Sequence, residues 1–308
     1  MILAAWVLGL GLEAAIGEPR RWHPLVGFGR LAHALEQRFN HADLRILKGA
    51  VSWLILVAGV VILALLLKRG LGTWAWLIDG LALWGALGAR SLAQQVQAVI
   101  TPLQQGDLAT ARYALSMIVS RDCAALDEVG IACATIETTL ENGADAIFCS
   151  LFWFVLGSFY GFGAECVLLH RSSNTLDAMW GYKTERFLQF GRVAARADDL
   201  LNAIPARLTA LSYAVIGQTR AALRCWHQQA SLHDSPNAGV VMAAGAGALG
   251  IKVGGAAVYH GQLTIRPLFG CGRPPVLSDM TRALHLVAHT LIFWLLVTSG
   301  ILLCQALR

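Results

Sequence analysis

The stretch that decides the fold class is GAVSWLILVAGVVILALLL, residues 49–67. It contains no charged residue, and it is bounded by Lys48 on one side and by Lys68 and Arg69 on the other. A helix that spans a bilayer needs about 20 largely apolar residues, and basic residues are common at its ends. Residues 49–67 are therefore predicted to form a membrane-spanning helix.

The composition of the whole chain agrees with a membrane protein. Of the 308 residues, 56% are hydrophobic and only 14% are charged, whereas about a quarter of the residues in a soluble domain are charged. Such a chain exposes too much apolar surface for an ordinary soluble enzyme, and it is too apolar to be disordered. The net charge of +5 comes without a dense basic stripe, so no nucleic-acid partner is expected. The seven cysteines are scattered singly, which argues against a disulfide framework or a zinc site.

Further apolar stretches predict several crossings. Glu13 interrupts the apolar stretch at residues 2–16, and Asp79 interrupts the one at residues 73–89. Both are candidates for a functional role because a charge inside a membrane is costly. The fold class is predicted to be all-α, a polytopic integral membrane protein in which helical cytoplasmic segments carry the polar motifs. We predict a single domain over residues 1–308, with spans near 2–16, 49–67, 73–89 and 283–303.

Residues 146–169 are an apolar stretch with two interpretations. Internal glycines divide it into halves of roughly a dozen residues, each too short to span alone. The polar segments on either side, 90–145 and 170–237, are both expected in the cytoplasm, and a single crossing would separate them. We therefore predict a re-entrant or buried helical hairpin at 146–169. The alternative is one ordinary span with the two polar segments on opposite faces.

A first polar cluster places carboxylates at helical spacing. Glu137, Glu141 and Asp145 stand at i, i+4 and i+8, so they share one helix face and repel one another. Bound cations, a Mg²⁺–phosphate group or simple solvation would each explain such a face.

A second polar cluster, from Asn174 to Arg207, alternates cations with carboxylates. Arg192, Arg196 and Asp199 lie on one side of a predicted helix. Arginine forks bind phosphate or carboxylate, and aspartate and asparagine oxygens suit Mg²⁺. A solvated amphipathic helix with ion pairs is the alternative interpretation.

A third polar cluster, HDSPNAG at residues 233–239, is predicted to form a tight turn before an apolar helix. The turn is expected either to present backbone N–H groups to an anion or to serve as a plain helix N-cap. Residues 245–250 match the dinucleotide motif G-x-G-x-x-G only formally, and close helix packing is the better interpretation. The chain contains neither a Walker A motif nor an HExxH motif.

In chain order, the polar motifs form a recognisable set. They are GEP at 17–19 with His23 and Pro24, SRD at 120–122, EN at 141–142 with Asp145, NTLDAM at 174–179, ADDLLN at 197–202, IPARL at 204–208 and DSPNAG at 234–239. Over almost its whole length the chain resembles the CbiB/CobD family of cobalamin-biosynthesis membrane proteins, adenosylcobinamide-phosphate synthase. Glu18 stands where the family usually has Asp, which keeps the carboxylate.

The resemblance implies a carbon–nitrogen ligase of cobalamin (vitamin B12) biosynthesis. Such an enzyme attaches aminopropanol phosphate, or aminopropanol, to adenosylcobyric acid and gives adenosylcobinamide phosphate or adenosylcobinamide. ATP and Mg²⁺ are expected to drive the reaction through an acyl phosphate, because a carboxylate is a poor acyl donor. No tightly bound cofactor is expected, since the cobalt of the corrinoid belongs to the substrate.

The resemblance also implies a location and partners. The expected location is the bacterial cytoplasmic (inner) membrane, with the active site on the cytoplasmic side. The expected partners are the corrinoid, aminopropanol phosphate, ATP and the lipid membrane. The sequence leaves open whether the protein forms homo-oligomers or associates with other cobalamin-pathway membrane proteins.

The resemblance and the side-chain chemistry together assign candidate roles. Catalytic candidates are Asp122, Glu141, Asn142, Asp145, Asp177 and Asp199, of which Asp145 and Asp177 are the candidate Mg²⁺ ligands. Candidates for binding substrate or phosphate are Lys183, Arg186, Arg192, Arg196, Asp198, Asn202, Arg207, Asp234 and Asn237.

Two other functions remain as alternatives, a corrinoid transporter or permease and a non-catalytic membrane assembly partner. Asp79 and the glycine-rich segments would suit a transporter. The many motifs that combine cations with carboxylates, and the lack of an internal sequence repeat, favour the enzyme.

Overall fold

The computed structural model describes residues 1–18, 24–41, 43–259 and 261–307, so Pro19 and His23 of the first motif lie outside the described residues. A π-helical turn, Ala144–Phe148, joins two of the helices. The helices are α1 (Ile2–Ala15), α2 (Pro24–Phe39), α3 (Arg45–Leu71), α4 (Trp76–Ala86), α5 (Ala89–Gln104), α6 (Leu108–Ser116), α7 (Glu128–Gly143), α8 (Cys149–Ser158), α9 (Gly163–Trp180), α10 (Arg192–Ile216), α11 (Thr219–Gln229), α12 (Ala238–Leu249) and α13 (Leu277–Ala306). The strands are β1 (Lys252–Gly254), β2 (Ala257–Tyr259), β3 (Gln262–Thr264) and β4 (Leu268–Gly270).

Among the described residues, three helical segments are long and apolar enough to cross a membrane: Arg45–Trp74, Glu128–Ser158 and Leu277–Gln305. Only 22% of the apolar window is buried in the first and 33% in the third, against 61% in the second. The first and third therefore expose the apolar surface that lipid would cover. Together the three segments support a membrane location. The helices α1 and α12 are apolar but shorter, and the number of crossings stays a prediction.

The described chain forms two compact units. The first consists of Met1–Gly88, Cys149–Asn202 and Val297–Arg308. The second consists of Ala89–Phe148 and Ala203–Leu296.

In the first unit, an apolar core joins α2, α3 and α9 to the loop before α10. Phe28, Trp180 and Phe190 are buried in it, and the rings of Trp180 and Phe190 meet edge to face with centroids 5.0 Å apart. Gly49 of α3 lies so close to the backbone carbonyl of Phe190 that a Cβ atom would collide with it. This close approach anchors the end of the loop 181–191, which carries several of the predicted site residues.

An ion cluster joins α3, α4 and α9 within the first unit. The Nζ atom of Lys68 donates to Asp79 Oδ1 at 2.9 Å, to Glu165 Oε2 at 3.0 Å and to the carbonyl of Gly161 at 2.8 Å. Asp79 also accepts a hydrogen bond of 2.8 Å from the backbone N–H of Ala164, in the first turn of α9. Asp79, a functional candidate by its position in an apolar stretch, therefore has structural partners.

From Cys149 onward, residues 146–169 make a helical turn-back inside the first unit, whereas 146–148 belong to the second. The helix α8 ends at Ser158, α9 begins at Gly163, and the two helices pack against each other. Between them Gly161 has a φ of 77°, a backbone conformation that favours glycine. Whether a membrane contains this hairpin stays a prediction.

The second unit corrects the all-α expectation. Strand β1 pairs with β4 in an antiparallel ladder, with Lys252 opposite Gly270, and β2 pairs with β3, with Ala257 opposite Thr264. The apolar stretch that begins at residue 238 does not continue as helix to this point, because Gly250 adopts a left-handed conformation with φ of 68° and ends α12. Strands of three residues give no clear alternation in the sequence, so periodicity could not predict them.

The G-x-G-x-x-G stretch is a helix-packing surface, as expected. A Cβ atom on Gly245 would meet the side chain of Leu140 at 2.7 Å, and one on Gly247 would meet the backbone carbonyl of Ala221 at 2.9 Å. Every residue of α12 is buried.

Candidate functional site

The candidate residues are divided between the two units. The first unit contains Asp177, Lys183, Arg186, Arg192, Arg196, Asp198, Asp199 and Asn202. The second contains Asp122, Glu141, Asn142, Asp145, Arg207, Asp234 and Asn237.

A buried hydrogen-bonded chain connects α9 to α10 in the first unit. The Nε2 atom of His170 lies 2.8 Å from Asn202 Oδ1, and the amide nitrogen of Asn202 donates to Asp198 Oδ2 at 2.9 Å. All three side chains are buried. Burial lowers the pKa of His170 to about 4, with a smaller contribution from the charge of Arg171, so this imidazole is neutral near neutral pH.

Asp177 and Asp199 form a pair of like charges next to this chain of hydrogen bonds. His170 and Asp177 stand at i and i+7, so they share one face of α9. Burial, and secondarily the negative charge of Asp199, raises the pKa of Asp177 to about 6. Gly181 lies against the Oδ1 atom of Asp177, where any Cβ atom would collide, and this lets the chain turn directly after α9.

A pair of carboxylates that repel each other suits a divalent cation. Among the described residues, no group of three or more His, Cys, Asp or Glu side chains is placed to hold a metal ion. Mg²⁺ usually takes only one or two carboxylates together with substrate phosphates. Asp177 and Asp199 fit that donor set, whereas Asp145, the other predicted Mg²⁺ ligand, belongs to the second unit.

Arg186 forms a two-pronged ion pair with Glu36 of α2. Its Nε donates to Glu36 Oε1 at 3.0 Å and its Nη2 to Oε2 at 2.6 Å. Burial alone would raise the pKa of Glu36, but the hydrogen bonds from Arg186 and Asn40 outweigh burial and leave it below its ordinary value. Asn40 and Arg45 also donate to the backbone carbonyl of Arg186, so this part of the loop is fastened to α2 and α3.

The other cationic candidates of the first unit are accessible, whereas Asp198 and Asn202 are buried. Lys183, Arg192 and Arg196 are exposed, on the loop 181–191 and in the first turns of α10. Long cationic side chains that extend into solvent can close on a phosphate group.

In the second unit, two arginines bind one carboxylate of α7. Arg121 pairs with Glu137, and Arg266 Nη2 donates to Glu137 Oε1 at 2.6 Å and to Oε2 at 2.8 Å. Glu141 lies within electrostatic range of Glu137 and Asp145. The repulsion expected on this face is thus offset by Arg121 and Arg266, neither of which the sequence analysis placed in the site. Arg121 could have been identified as a site residue from the SRD motif, whereas Arg266 belongs to none of the motifs.

The catalytic candidates near α7 also have local partners. The amide nitrogen of Asn142 donates to Thr138 Oγ1 at 3.0 Å. Asp122 is exposed, and its Oδ2 accepts a bond of 2.8 Å from the backbone N–H of Gly261, in the turn between β2 and β3. Asp145 lies in the π-helical turn after α7.

In the HDSPNAG turn, the N-cap residue Asn237 makes no side-chain capping hydrogen bond, and Ser235 binds the start of α12 instead. Ser235 Oγ accepts from the backbone N–H of Ala238 at 3.2 Å and from that of Asn237 at 3.4 Å. Arg207 Nη1 donates to Asn237 Oδ1 at 3.3 Å. Arg207 and Asp234 line a cavity of about 420 Å³ beside this turn.

Comparisons with known proteins agree with one another. The chain matches the family model described as CobD/Cbib protein over residues 6–287. It is 52% identical over 290 residues to the cobalamin biosynthesis protein CobD of Stutzerimonas stutzeri (strain A1501), covering 93% of each chain. The protein of the same name from Chromobacterium violaceum is 49% identical over 297 residues, covering 93% of this chain and 92% of the relative.

A more distant relative shows the same similarity. The cobalamin biosynthesis protein CobD of Mycobacterium tuberculosis (strain H37Rv) is 40% identical over 286 residues, covering 91% of this chain and 89% of the relative. No solved structure matches the chain. Because the family model and these relatives cover nearly its whole length, the chain belongs to the CobD/Cbib protein family.

Proposed function

We propose that this protein is a membrane enzyme of cobalamin biosynthesis that joins aminopropanol phosphate, or aminopropanol, to adenosylcobyric acid through an amide bond. Family membership and the names of the relatives support a role in that pathway. The three apolar helical segments support a membrane location, and we place the reaction on the cytoplasmic side, where ATP is available.

The reaction that we propose has two steps. A carboxylate oxygen of the corrinoid attacks the terminal phosphorus of ATP, ADP leaves, and an acyl phosphate forms. The amine then attacks the carbonyl carbon, inorganic phosphate leaves with the bonding electrons, and the amine loses a proton. Mg²⁺, when bound, would reduce the negative charge of the phosphates.

The observation that carries the proposal is the partly buried pair of Asp177 and Asp199, in a unit that also contains exposed cations. Two neighbouring carboxylates repel each other when both are ionised, and a bound cation relieves this repulsion. Lys183 and Arg192 provide positive charge for phosphate. The buried hydrogen-bonded chain of His170, Asn202 and Asp198 would hold α9 and α10 in a fixed relation. Asp177 and Asp199 would then meet Mg²⁺–ATP with little rearrangement.

One assay tests the proposal. Purified protein is incubated with ATP, Mg²⁺, adenosylcobyric acid and aminopropanol phosphate, and the products are measured by mass spectrometry and by release of ADP. We expect amide product and ADP in equal amounts from the wild type. Asp177→Ala and Asp199→Ala should give neither product while still inserting into the membrane. Asp43→Ala, which removes an exposed carboxylate of the same unit, is the matched control and should be active.

Two results would contradict the proposal. Movement of the corrinoid across vesicles without amide product would favour a transporter. Full activity in both the Asp177 and the Asp199 variants would remove the site that we assign.

A further inference from the structure

The cavity beside the HDSPNAG turn has a size that suits a small substrate. Its volume is about 420 Å³. Cavities for drug-sized ligands usually measure about 300–1,000 Å³, so this cavity lies toward the small end of that range. A corrinoid is much larger than a drug-sized molecule, so at most a part of it could be accommodated here. The cavity is therefore suited to a small molecule.

The charged side chains of the cavity have opposite signs. Arg207 and Asp234 both line it, together with the ring of Trp226 and the side chain of Val240. Such a lining offers a cation for an anionic group, a carboxylate for a cationic group, and apolar surface for a short carbon chain.

Arg207 is positioned by its neighbours in a way that leaves much of its fork available. Its Nη1 atom donates to the carbonyl of Ala203 at 2.6 Å and to Asn237 Oδ1 at 3.3 Å. Both bonds use the same nitrogen, and a guanidinium has further N–H donors on Nε and Nη2. A planar fork with donors of this kind suits a phosphate.

His233 also lines the cavity. Its Nδ1 atom accepts a hydrogen bond of 2.9 Å from the backbone N–H of Ser235. Burial lowers the pKa of His233 below its ordinary value, so the ring is neutral and its proton resides on Nε2. Arg207 thus provides N–H groups at the cavity, next to a neutral imidazole, and Asp234 provides the opposite charge.

We infer that this cavity binds a short amino alcohol phosphate, with the phosphate on Arg207 and the ammonium on Asp234. The inference rests on the proposed function and names the place where the amine substrate enters. The same chemistry, a phosphate and an ammonium joined by a short carbon chain, also occurs in the headgroup of phosphatidylethanolamine. The test therefore separates the soluble molecule from the lipid.

Calorimetric titration of the full chain in phosphatidylcholine nanodiscs, without ATP or corrinoid, measures the binding. The ligands are aminopropanol phosphate and propyl phosphate, which lacks the amine. Arg207→Gln should weaken the binding of aminopropanol phosphate by at least about tenfold. Asp234→Asn should weaken it to the same extent, but this variant should bind propyl phosphate at least as tightly as the wild type does. Arg220→Gln, an exposed arginine of α11 outside the cavity, should change neither affinity by more than about twofold.

Ser231→Phe protects the test against variants that do not fold. Ser231 is exposed at the cavity, so a larger side chain there would fill the cavity without disturbing buried packing. We expect this variant to lose binding of aminopropanol phosphate while its melting temperature stays at the wild-type value. Unchanged affinity in Ser231→Phe, or in both Arg207→Gln and Asp234→Asn, would overturn the inference.

Phosphatidylethanolamine in the nanodiscs should leave the affinity for aminopropanol phosphate unchanged. If this lipid competes with aminopropanol phosphate for the wild-type protein, the cavity binds a lipid headgroup, and the assignment to the soluble amine is overturned. The readout also separates this inference from the proposed function. Binding at the cavity without any amide synthesis would contradict only the proposed function, whereas amide synthesis with a wild-type KM for the amine in Arg207→Gln would contradict only the inference.

Discussion

The Nε2 atom of His170 lies 2.8 Å from the Oδ1 atom of Asn202, inside the first unit. The amide nitrogen of Asn202 donates to Asp198, so its oxygen faces His170 and the proton of the neutral ring resides on Nε2. The Nδ1 atom of His170 then has no hydrogen-bond partner among the described residues. A buried polar atom without a partner costs about 1–3 kcal/mol.

Replacing Asn202 tests how much this buried chain stabilises the protein. Asn202→Leu removes the partners of His170 Nε2 and Asp198 Oδ2 together, so we expect the free energy of unfolding to fall by about 2–4 kcal/mol. Thermal unfolding in detergent, followed by circular dichroism, measures the change. Leu200→Ala, at a side chain of α10 that is 77% exposed, is the control and should melt close to the wild type. A wild-type melting temperature in Asn202→Leu would contradict the structural role.

Asp177 is expected to lower stability when it is ionised. The pKa of Asp177 is about 6 in the folded protein, above the ordinary value of 3.8. The protonated side chain therefore stabilises the fold at low pH, and this stabilisation is lost as the pH rises from 3.8 through about 6. Asp177→Asn should therefore be more stable than the wild type above about pH 6, by on the order of 1–2 kcal/mol after allowance for solvent, and inactive in amide formation. Melting temperatures measured between about pH 5 and pH 8 check the sign, since the gain should shrink toward the acid end.

A stabilised but inactive variant is the mark of a residue kept for function. Asp43→Asn, at an exposed carboxylate, should show neither the gain in stability nor the loss of activity. Equal stability of Asp177→Asn and the wild type at every pH would count against the raised pKa.

The pair of Glu36 and Arg186 decides between a structural and a substrate-binding role for this arginine. If Glu36 is its partner, Glu36→Gln should lower the free energy of unfolding by about 1–3 kcal/mol. Arg186→Gln should lower it as well, and the double variant should lose much less than the sum of the two single variants. The lowered pKa of Glu36 implies that this stability is present above pH 4.5 and is lost as the pH falls through the folded-state value. A double-mutant cycle of melting temperatures measures the coupling. Unchanged stability with a raised KM for ATP in Arg186→Gln would instead favour phosphate binding.

Lys68 is expected to hold three helices of the first unit together. Lys68→Met leaves the carboxylates of Asp79 and Glu165 without their cation, and we expect a loss of about 3–5 kcal/mol because all three side chains are largely buried. The loss is measured as the amount of folded protein that remains in detergent after expression, by fluorescence-detected size-exclusion chromatography. Adding Glu165→Gln to Lys68→Met should restore part of it, since one uncompensated charge is removed. Lys252→Met, at an exposed lysine, is the control.

Arg266 is expected to attach the segment that contains the four strands to α7. Arg266→Gln removes two hydrogen bonds to Glu137 and leaves that buried carboxylate with Arg121. We expect faster hydrogen exchange across residues 252–270 than in the wild type, with α13 unchanged. Arg220→Gln should leave the exchange of the same segment unaltered. Equal exchange in Arg266→Gln and the wild type would show that the strands are held by other contacts.

Much of the fold class could be predicted because it depends on local composition. The uncharged residues 49–67 lie within the candidate span Arg45–Trp74, and residues 283–303 lie within Leu277–Gln305. A run of about 20 apolar residues can satisfy its backbone polar groups inside a bilayer only as a helix, whatever follows in the chain. The strands near residue 260 could not be predicted in this way, because each is three residues long.

The sequence by itself determined the membrane character of this protein, the order of its polar motifs and the family to which it belongs. Only the tertiary structure decided which charges meet. Glu36 is bound by Arg186, 150 residues away, and Glu137 by Arg266, 129 residues away. The energy of two charges depends on their separation in space and on the burial around them, and neither quantity is written in the spacing of residues along the chain.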